Sequence, residues 1–163
     1  MTAACRVLLA TVATVLVVAS PARAQAHAQR VEPELRLDAI LSHRSVLQAA
    51  LGADIPISPA MHLELAAGAG PSLGERSVNG ANVSARGDVI VHFLIDPQHR
   101  MRWSPYAGGG IGARYDRGPG DDWRAVAIIV AGVNAPKWKH AVPFIEVGLG
   151  GGFRIGAGLR RAQ

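Results

Sequence analysis

Apolar residues alternate with polar residues or glycine in eight segments of this chain. A period of two is typical of a β-strand, because successive side chains point to opposite faces. The first segment places Leu35 and Leu37 on one face, and Glu34 and Arg36 on the other. The sixth segment is nearly all apolar, so its facing stays ambiguous. The seven later segments cover residues 47–57, 61–68, 86–95, 103–115, 123–133, 144–150 and 153–160.

Short turn signals separate these segments. Examples are Ser58-Pro59-Ala60 and the triple glycine at residues 150–152, while the longest connection covers residues 70–82. Consecutive strands joined by short links are antiparallel neighbours. The pattern therefore predicts an all-β fold, an antiparallel up-and-down eight-stranded β-barrel.

The N-terminus has the pattern of a secretory signal peptide. Arg6 precedes an apolar run at residues 7–19, and small residues close the segment at Ala22 and Ala24. The run is too short to cross a membrane as a helix, which takes about 20 residues. We therefore predict cleavage after residue 24 and one domain over residues 25–163. Cys5 would leave with the leader, so the mature domain would contain no thiol chemistry.

The composition of the polar face indicates which side of the barrel faces lipid. Glycine, alanine and charges of both signs dominate it, a composition that favours a narrow interior in which charges pair over a wetted exterior. The alternative is a soluble periplasmic, lipocalin-like barrel that binds a small apolar ligand in an apolar interior. The residues assigned to the lumen charge network are Glu34, Arg36, Asp38, His62, Glu64, Arg86, Asp88, His92, Arg114, Glu146, Arg154 and Arg160.

Aromatic residues support the transmembrane interpretation. Trp103, Tyr115, Trp123 and Trp138 lie at or just beyond predicted strand ends, where interfacial girdles form. With both termini in the periplasm, the connections at residues 70–82 and 116–122 would be extracellular. Their length agrees with the rule that extracellular loops are the longer ones.

Composition excludes a nucleic-acid partner. Removing the leader's two arginines from 17 Lys and Arg leaves 15, against 12 Asp and Glu, a net charge of +3. The arginines are scattered rather than gathered into a phosphate-tracking stripe. Charged residues make up 18% of the chain, below the usual quarter or so, which agrees with an exterior that does not all face water.

Two segments carry a family resemblance. The stretches at residues 104–112 (SPYAGGGIG) and 143–148 (PFIEVG) resemble strands of the small bacterial outer-membrane β-barrels of the OmpA and OmpX type. The resemblance covers the mature chain and implies an eight-stranded transmembrane barrel, although that group usually ends on an aromatic residue and this chain ends LRRAQ. Members of the group have structural, adhesive, solute-handling or lipid-handling roles, so the resemblance leaves the activity open.

No motif predicts a catalytic, cofactor or metal site. The six histidines lack paired ligand spacing, so His62 and His92 are interpreted as hydrogen-bonded lumen residues. A lipid-modifying barrel enzyme remains a further alternative, with Ser84 or Ser104, His92 and Glu64 as its candidate residues. The leading hypothesis is a non-enzymatic monomer in the outer membrane. Its partners would be outer-membrane lipid and an unknown extracellular loop partner, in a structural or surface-interaction role.

Overall fold

The computed structural model describes residues 31–73, 83–96, 103–117 and 122–161, which form a closed antiparallel barrel. Each strand pairs with the next, and β8 pairs with β1 to close the sheet, so the predicted eight-stranded up-and-down barrel is confirmed. Within these ranges no helix is long and apolar enough to cross a membrane. The strands are β1 (Glu32–Leu41), β2 (Ser45–Ser58), β3 (Met61–Leu73), β4 (Val83–Leu94), β5 (Ser104–Asp116), β6 (Asp122–Asn134), β7 (Ala141–Leu149) and β8 (Phe153–Arg161).

Strand β3 extends further than its turn signals predict. Gly70 and Pro71 were expected to open the longest connection, but they pair with Ser84 and Val83 of β4. On the other side, the pairing of β3 with β2 is interrupted at these two residues and resumes at Ser72. Proline has no N–H to donate, so it is accommodated where one of the two ladders is broken. The connection therefore covers only residues 74–82.

The lengths of the connections do not distinguish the two ends of the barrel. We call the end that holds both chain termini the terminus end, and the opposite end the far end. Connections at the terminus end cover residues 59–60, 95–103 and 135–140, and those at the far end cover residues 42–44, 74–82, 117–121 and 150–152. The two connections predicted to be extracellular both lie at the far end, and their position outside the cell stays a prediction.

The apolar faces of the strands point outward. Ile111, in the middle of β5, is 69% exposed, and Leu51 and Ile129 are equally open. The ambiguous sixth strand follows the same rule, since it exposes Ile129 and buries Ile128. The interior contains the charged residues and one small apolar cluster formed by Ile90, Ile128 and Val130, with Val126 packed against it.

Candidate functional site

Nearly all the buried charged residues in the described part of the chain lie in the interior of the barrel. All twelve residues that the sequence assigns to the lumen network are buried there. Sequence reasoning left out five further buried polar residues. Gln48 and Asp54 stood on the polar face of the second segment, whereas the others lie at strand ends where alternation gives little signal. The five are Gln48, Asp54, Ser84, Ser104 and Asp116.

Arg36 on β1 is the centre of the network. Its guanidinium donates to Glu64 at 2.6 Å, to Glu146 at 2.8 Å and to Glu34 at 3.3 Å. Its Nε lies 3.0 Å from the Asp38 carboxylate. The side chain is fully buried, so these four carboxylates replace the water that a guanidinium otherwise binds. One arginine therefore links β1 to β3 and β7 across the lumen.

Three arginines pair with an aspartate two residues later on their own strand. Arg36 and Asp38 form one such pair, and Arg86 contacts Asp88 at 2.7 Å. Arg114 contacts Asp116 at 2.8 Å. The spacing follows from the strand period, because residues i and i+2 share a face. These Arg-x-Asp pairs place opposite charges side by side on one strand, independently of contacts across the lumen.

Strand β8, which pairs with β1, supplies the remaining buried arginines. Arg154 contacts Asp88 at 3.1 Å and also pairs with Glu146. Arg160 contacts Glu34 at 2.7 Å and lies over the Phe144 ring, with its Cζ 4.4 Å from the centroid. The network thus spans β1, β3, β4, β7 and β8, and it occupies the interior through which a solute would have to pass.

Buried carboxyl groups outnumber buried guanidinium groups among the described residues. Seven buried carboxylates face five buried guanidinium groups. At the terminus end, His62 Nδ1 lies 3.0 Å from Asp54 Oδ2. The carboxylates are Glu34, Asp38, Asp54, Glu64, Asp88, Asp116 and Glu146, and the guanidinium groups belong to Arg36, Arg86, Arg114, Arg154 and Arg160.

One group of interior residues has the donor types of a metal site. Ligand atoms of Glu64, His92 and Glu146 lie within 4.8 Å of one another. His92 Nε2 is 3.6 Å from Glu64 and 3.5 Å from Glu146, and neither ring nitrogen has a hydrogen-bond partner. However, Arg36 already donates to both carboxylates, and its charge would repel a divalent cation. The donor set suits a metal, but its electrostatic surroundings do not.

The residues considered for a lipid-modifying enzyme do not come together. Ser84 is eight residues from His92 on β4, about 27 Å along the strand. His92 pairs with Gly108, and Ser104 is four residues from Gly108, about 14 Å away. A nucleophile and its base must lie within about 3 Å of each other. Neither serine therefore forms a triad with His92.

The four aromatic residues face outward near the two ends of the barrel. Trp103 and Trp138 lie near the terminus end, and both are exposed. Trp123 is exposed near the far end, where its ring centroid lies 5.0 Å from that of the half-buried Tyr115. Each end of the outer surface therefore carries amphipathic rings.

Comparisons with known proteins identify the fold. No family model and no curated protein sequence matches the chain. Among solved structures, Neisserial surface protein A (NspA) matches with a TM-score of 0.59 and 11% identity, over 82% of this chain and 96% of that one. The de novo designed TMB2.3 matches with a TM-score of 0.55 and 16% identity, over 84% and 98% of the two chains.

A third match is the N-terminal beta-barrel domain of Pseudomonas aeruginosa OprF. Its TM-score is 0.53 at 13% identity, and the match covers 81% of this chain and 98% of that domain. At such low identity, a likeness over nearly the whole length of the known structures speaks to architecture rather than activity. The chain therefore has the small eight-stranded barrel fold that its resemblance to the OmpA and OmpX type predicted.

Proposed function

We propose that this chain is a non-enzymatic barrel of the outer membrane, in which lipid surrounds the apolar exterior. The single observation that carries the proposal is the inverted distribution of polarity. Large side chains such as Leu51, Ile111 and Ile129 are exposed, while Arg36 and Glu64 are fully buried. Monomeric soluble proteins rarely expose apolar patches beyond a few hundred Å². An apolar exterior around a charged interior is the pattern of a transmembrane barrel.

The height of the apolar belt supports the same proposal. Trp103 directly precedes β5 and Tyr115 lies near the other end of that strand, twelve residues further on. Twelve residues span about 41 Å of strand, or about 31 Å along the barrel axis at a tilt of about 40°. The hydrocarbon core of a bilayer is about 30 Å thick. Aromatic rings at this separation would lie at the two interfaces.

The occupied interior favours a structural or surface-interaction role over transport. Eight strands leave an interior just wide enough to be filled by side chains. Here Arg36, Arg154 and Arg160 cross that space to carboxylates on other strands. Contact with a partner outside the cell would use the far-end connections, with residues 74–82 as the longest of them.

The proposed location rests on three supports. Residues 1–24, which lie outside the described residues, have the pattern of a secretory leader. The fold is shared with NspA, which is named a surface protein, and with the N-terminal beta-barrel domain of OprF. The exterior offers the apolar belt that such a membrane requires. A soluble barrel with an apolar ligand cavity is disfavoured, because the interior of this barrel is charged.

Fractionation of expressing cells tests the proposal. We expect the full-length protein in the outer-membrane fraction, with a band that changes mobility on a denaturing gel when the sample is boiled. A closed barrel resists the detergent until it is heated, which produces the shift. Recovery of the protein wholly in the periplasmic extract, without a heat-dependent shift, would refute the membrane assignment.

A further inference from the structure

A groove on the outer surface at the terminus end has a leucine floor. Leu35 pairs with Leu51 on one side and with Leu159 on the other, so the three side chains form a row across β2, β1 and β8. All three are about half exposed or more. Together with the β6–β7 connection, they line an open groove of about 600 Å³. This volume lies within the range of small-molecule sites, about 300–1,000 Å³.

The connection beside the groove is held by its own backbone. Trp138 N–H donates to the Ala141 carbonyl at 2.8 Å, and Ala141 N–H donates back to the Trp138 carbonyl at 3.0 Å. Between them Lys139 has a φ of 57°, a left-handed conformation that is strained for a residue with a Cβ. Strain of this kind is retained where the surrounding structure or a function requires it. The turn thereby fixes the Lys139 side chain near Trp138, with Nζ 5.3 Å from the ring centroid.

The rim of the groove is basic. Lys139, His140 and Arg161 line it and are exposed. Glu34 and Arg160 also border it, but they neutralise each other through an ion pair at 2.7 Å. The groove therefore combines an apolar floor, an exposed aromatic ring and two permanent positive charges at its rim, on Lys139 and Arg161, neither of which forms an ion pair with a carboxylate of the described residues.

We propose that this groove binds a phospholipid with an anionic headgroup. One acyl chain would lie along the leucine row, and the phosphate would contact Lys139 and Arg161, with Trp138 at the interfacial level between them. Basic side chains beside a membrane surface attract anionic lipids, and tryptophan favours this depth. With the termini in the periplasm, the site would face the periplasmic leaflet, so this inference rests on the proposed function.

Tryptophan quenching by brominated lipid tests the site. In a Trp103→Phe/Trp123→Phe background, Trp138 becomes the only tryptophan of the mature domain. The protein is refolded into vesicles of brominated phosphatidylcholine that contain increasing amounts of unbrominated phosphatidylglycerol. We expect the anionic lipid to displace the brominated lipid from Trp138 with a preference of about fivefold or more, because each nearby cation contributes about that factor.

Two charge-neutralising variants separate a site from a general surface effect. Lys139→Gln/Arg161→Gln should reduce the preference to about one, since it removes both permanent charges from the rim. Arg117→Gln/Arg124→Gln removes the same net charge from exposed residues at the far end, and it should leave the preference unchanged. The inference would be overturned by equal binding of the two lipids, or by equal losses in the two variants.

Failure of the proposed function gives a different result. If the chain does not enter bilayers, brominated phosphatidylcholine alone will not quench Trp138, and the boiled and unboiled samples will have the same mobility. That outcome would refute both the membrane barrel and the lipid site. Quenching by phosphatidylcholine without a preference for phosphatidylglycerol would leave the barrel intact and refute the site alone.

Discussion

Replacing Arg36 with methionine should strongly destabilise the barrel. The substitution removes five hydrogen bonds and leaves four buried carboxylates short of a partner. Removing one member of a buried ion pair costs about 3–5 kcal/mol, because the other charge stays desolvated. We expect the loss in free energy of unfolding to lie near the upper end of this range, since four carboxylates lose a partner. They are Glu34, Asp38, Glu64 and Glu146. Such a loss would be a large fraction of a typical total stability of about 5–15 kcal/mol.

A double-mutant cycle isolates one interaction within this loss. Asp38 contacts Arg36 on the same strand, so Asp38→Asn should cost much less in the Arg36→Met background than in the wild type. The expected coupling energy is about 2 kcal/mol. Arg124 and Asp122 provide the matched control, because their pair has the same two-residue spacing but is 57% and 42% exposed. Exposed pairs couple by about 0.2–1 kcal/mol.

Urea unfolding in phosphatidylcholine vesicles measures these energies. Folding of each variant is followed by tryptophan fluorescence and by the heat-dependent gel shift, and the four free energies of unfolding give the coupling. A coupling for Arg36 and Asp38 no larger than that for Arg124 and Asp122 would refute the argument. It would mean that burial in the lumen adds nothing to an ion pair.

Three further predictions concern other parts of the barrel. Ile111→Arg should lower the free energy of unfolding in vesicles by about 2–4 kcal/mol and Trp103→Arg by about 1 kcal/mol or less, because the cost depends on depth; equal costs would contradict the proposed membrane placement. Gly158→Ala should lower the free energy of unfolding by about 1–3 kcal/mol in the same assay, since its Cβ would lie 2.5 Å from a backbone oxygen of β1. Gly87→Ala should leave this free energy unchanged, because the nearest atom to its Cβ would be 4.0 Å away. Lys139→Gly should be about 1 kcal/mol more stable than Lys139→Ala, because only glycine relieves the positive φ while both variants lose the charge.

The alternation of polar and apolar residues is enough to predict most of the fold from the sequence. The direction of each side chain is fixed by the strand period, so Leu35 and Arg36 could be assigned to opposite faces without any knowledge of the pairing. The Arg-x-Asp pairs could also be read directly, because they lie within one strand. Loop lengths were less predictable, since Gly70 and Pro71 have the chemistry of a turn but lie in a strand whose other ladder tolerates the proline.

Contacts across the lumen could not be predicted from the sequence. Arg36 and Glu146 are 110 residues apart, and their contact depends on the stagger between strands when β8 closes against β1. The alternation places Phe144 on the interior face, but it does not show how so large a side chain fits there. Phe144 fits inside because Gly158 beside it has no side chain, and a Cβ there would lie 2.6 Å from the ring. Period-two patterning ranks residues by polarity, whereas packing of the interior depends on volume.

The inverted polarity also explains why the ion pairs should determine the stability of this fold. In a bilayer, exposed residues such as Ile111 would be in contact with lipid, which is itself apolar. The hydrophobic effect would therefore not drive these residues to pack against one another. Closure of the sheet gives its backbone N–H and C=O groups hydrogen-bond partners, but other staggers between neighbouring strands would do the same. The native stagger brings Arg36 to Glu64 and Glu146 while Arg160 reaches Glu34. We therefore expect the buried network to favour this register, because a misregistered barrel would leave guanidinium groups and carboxylates unpaired.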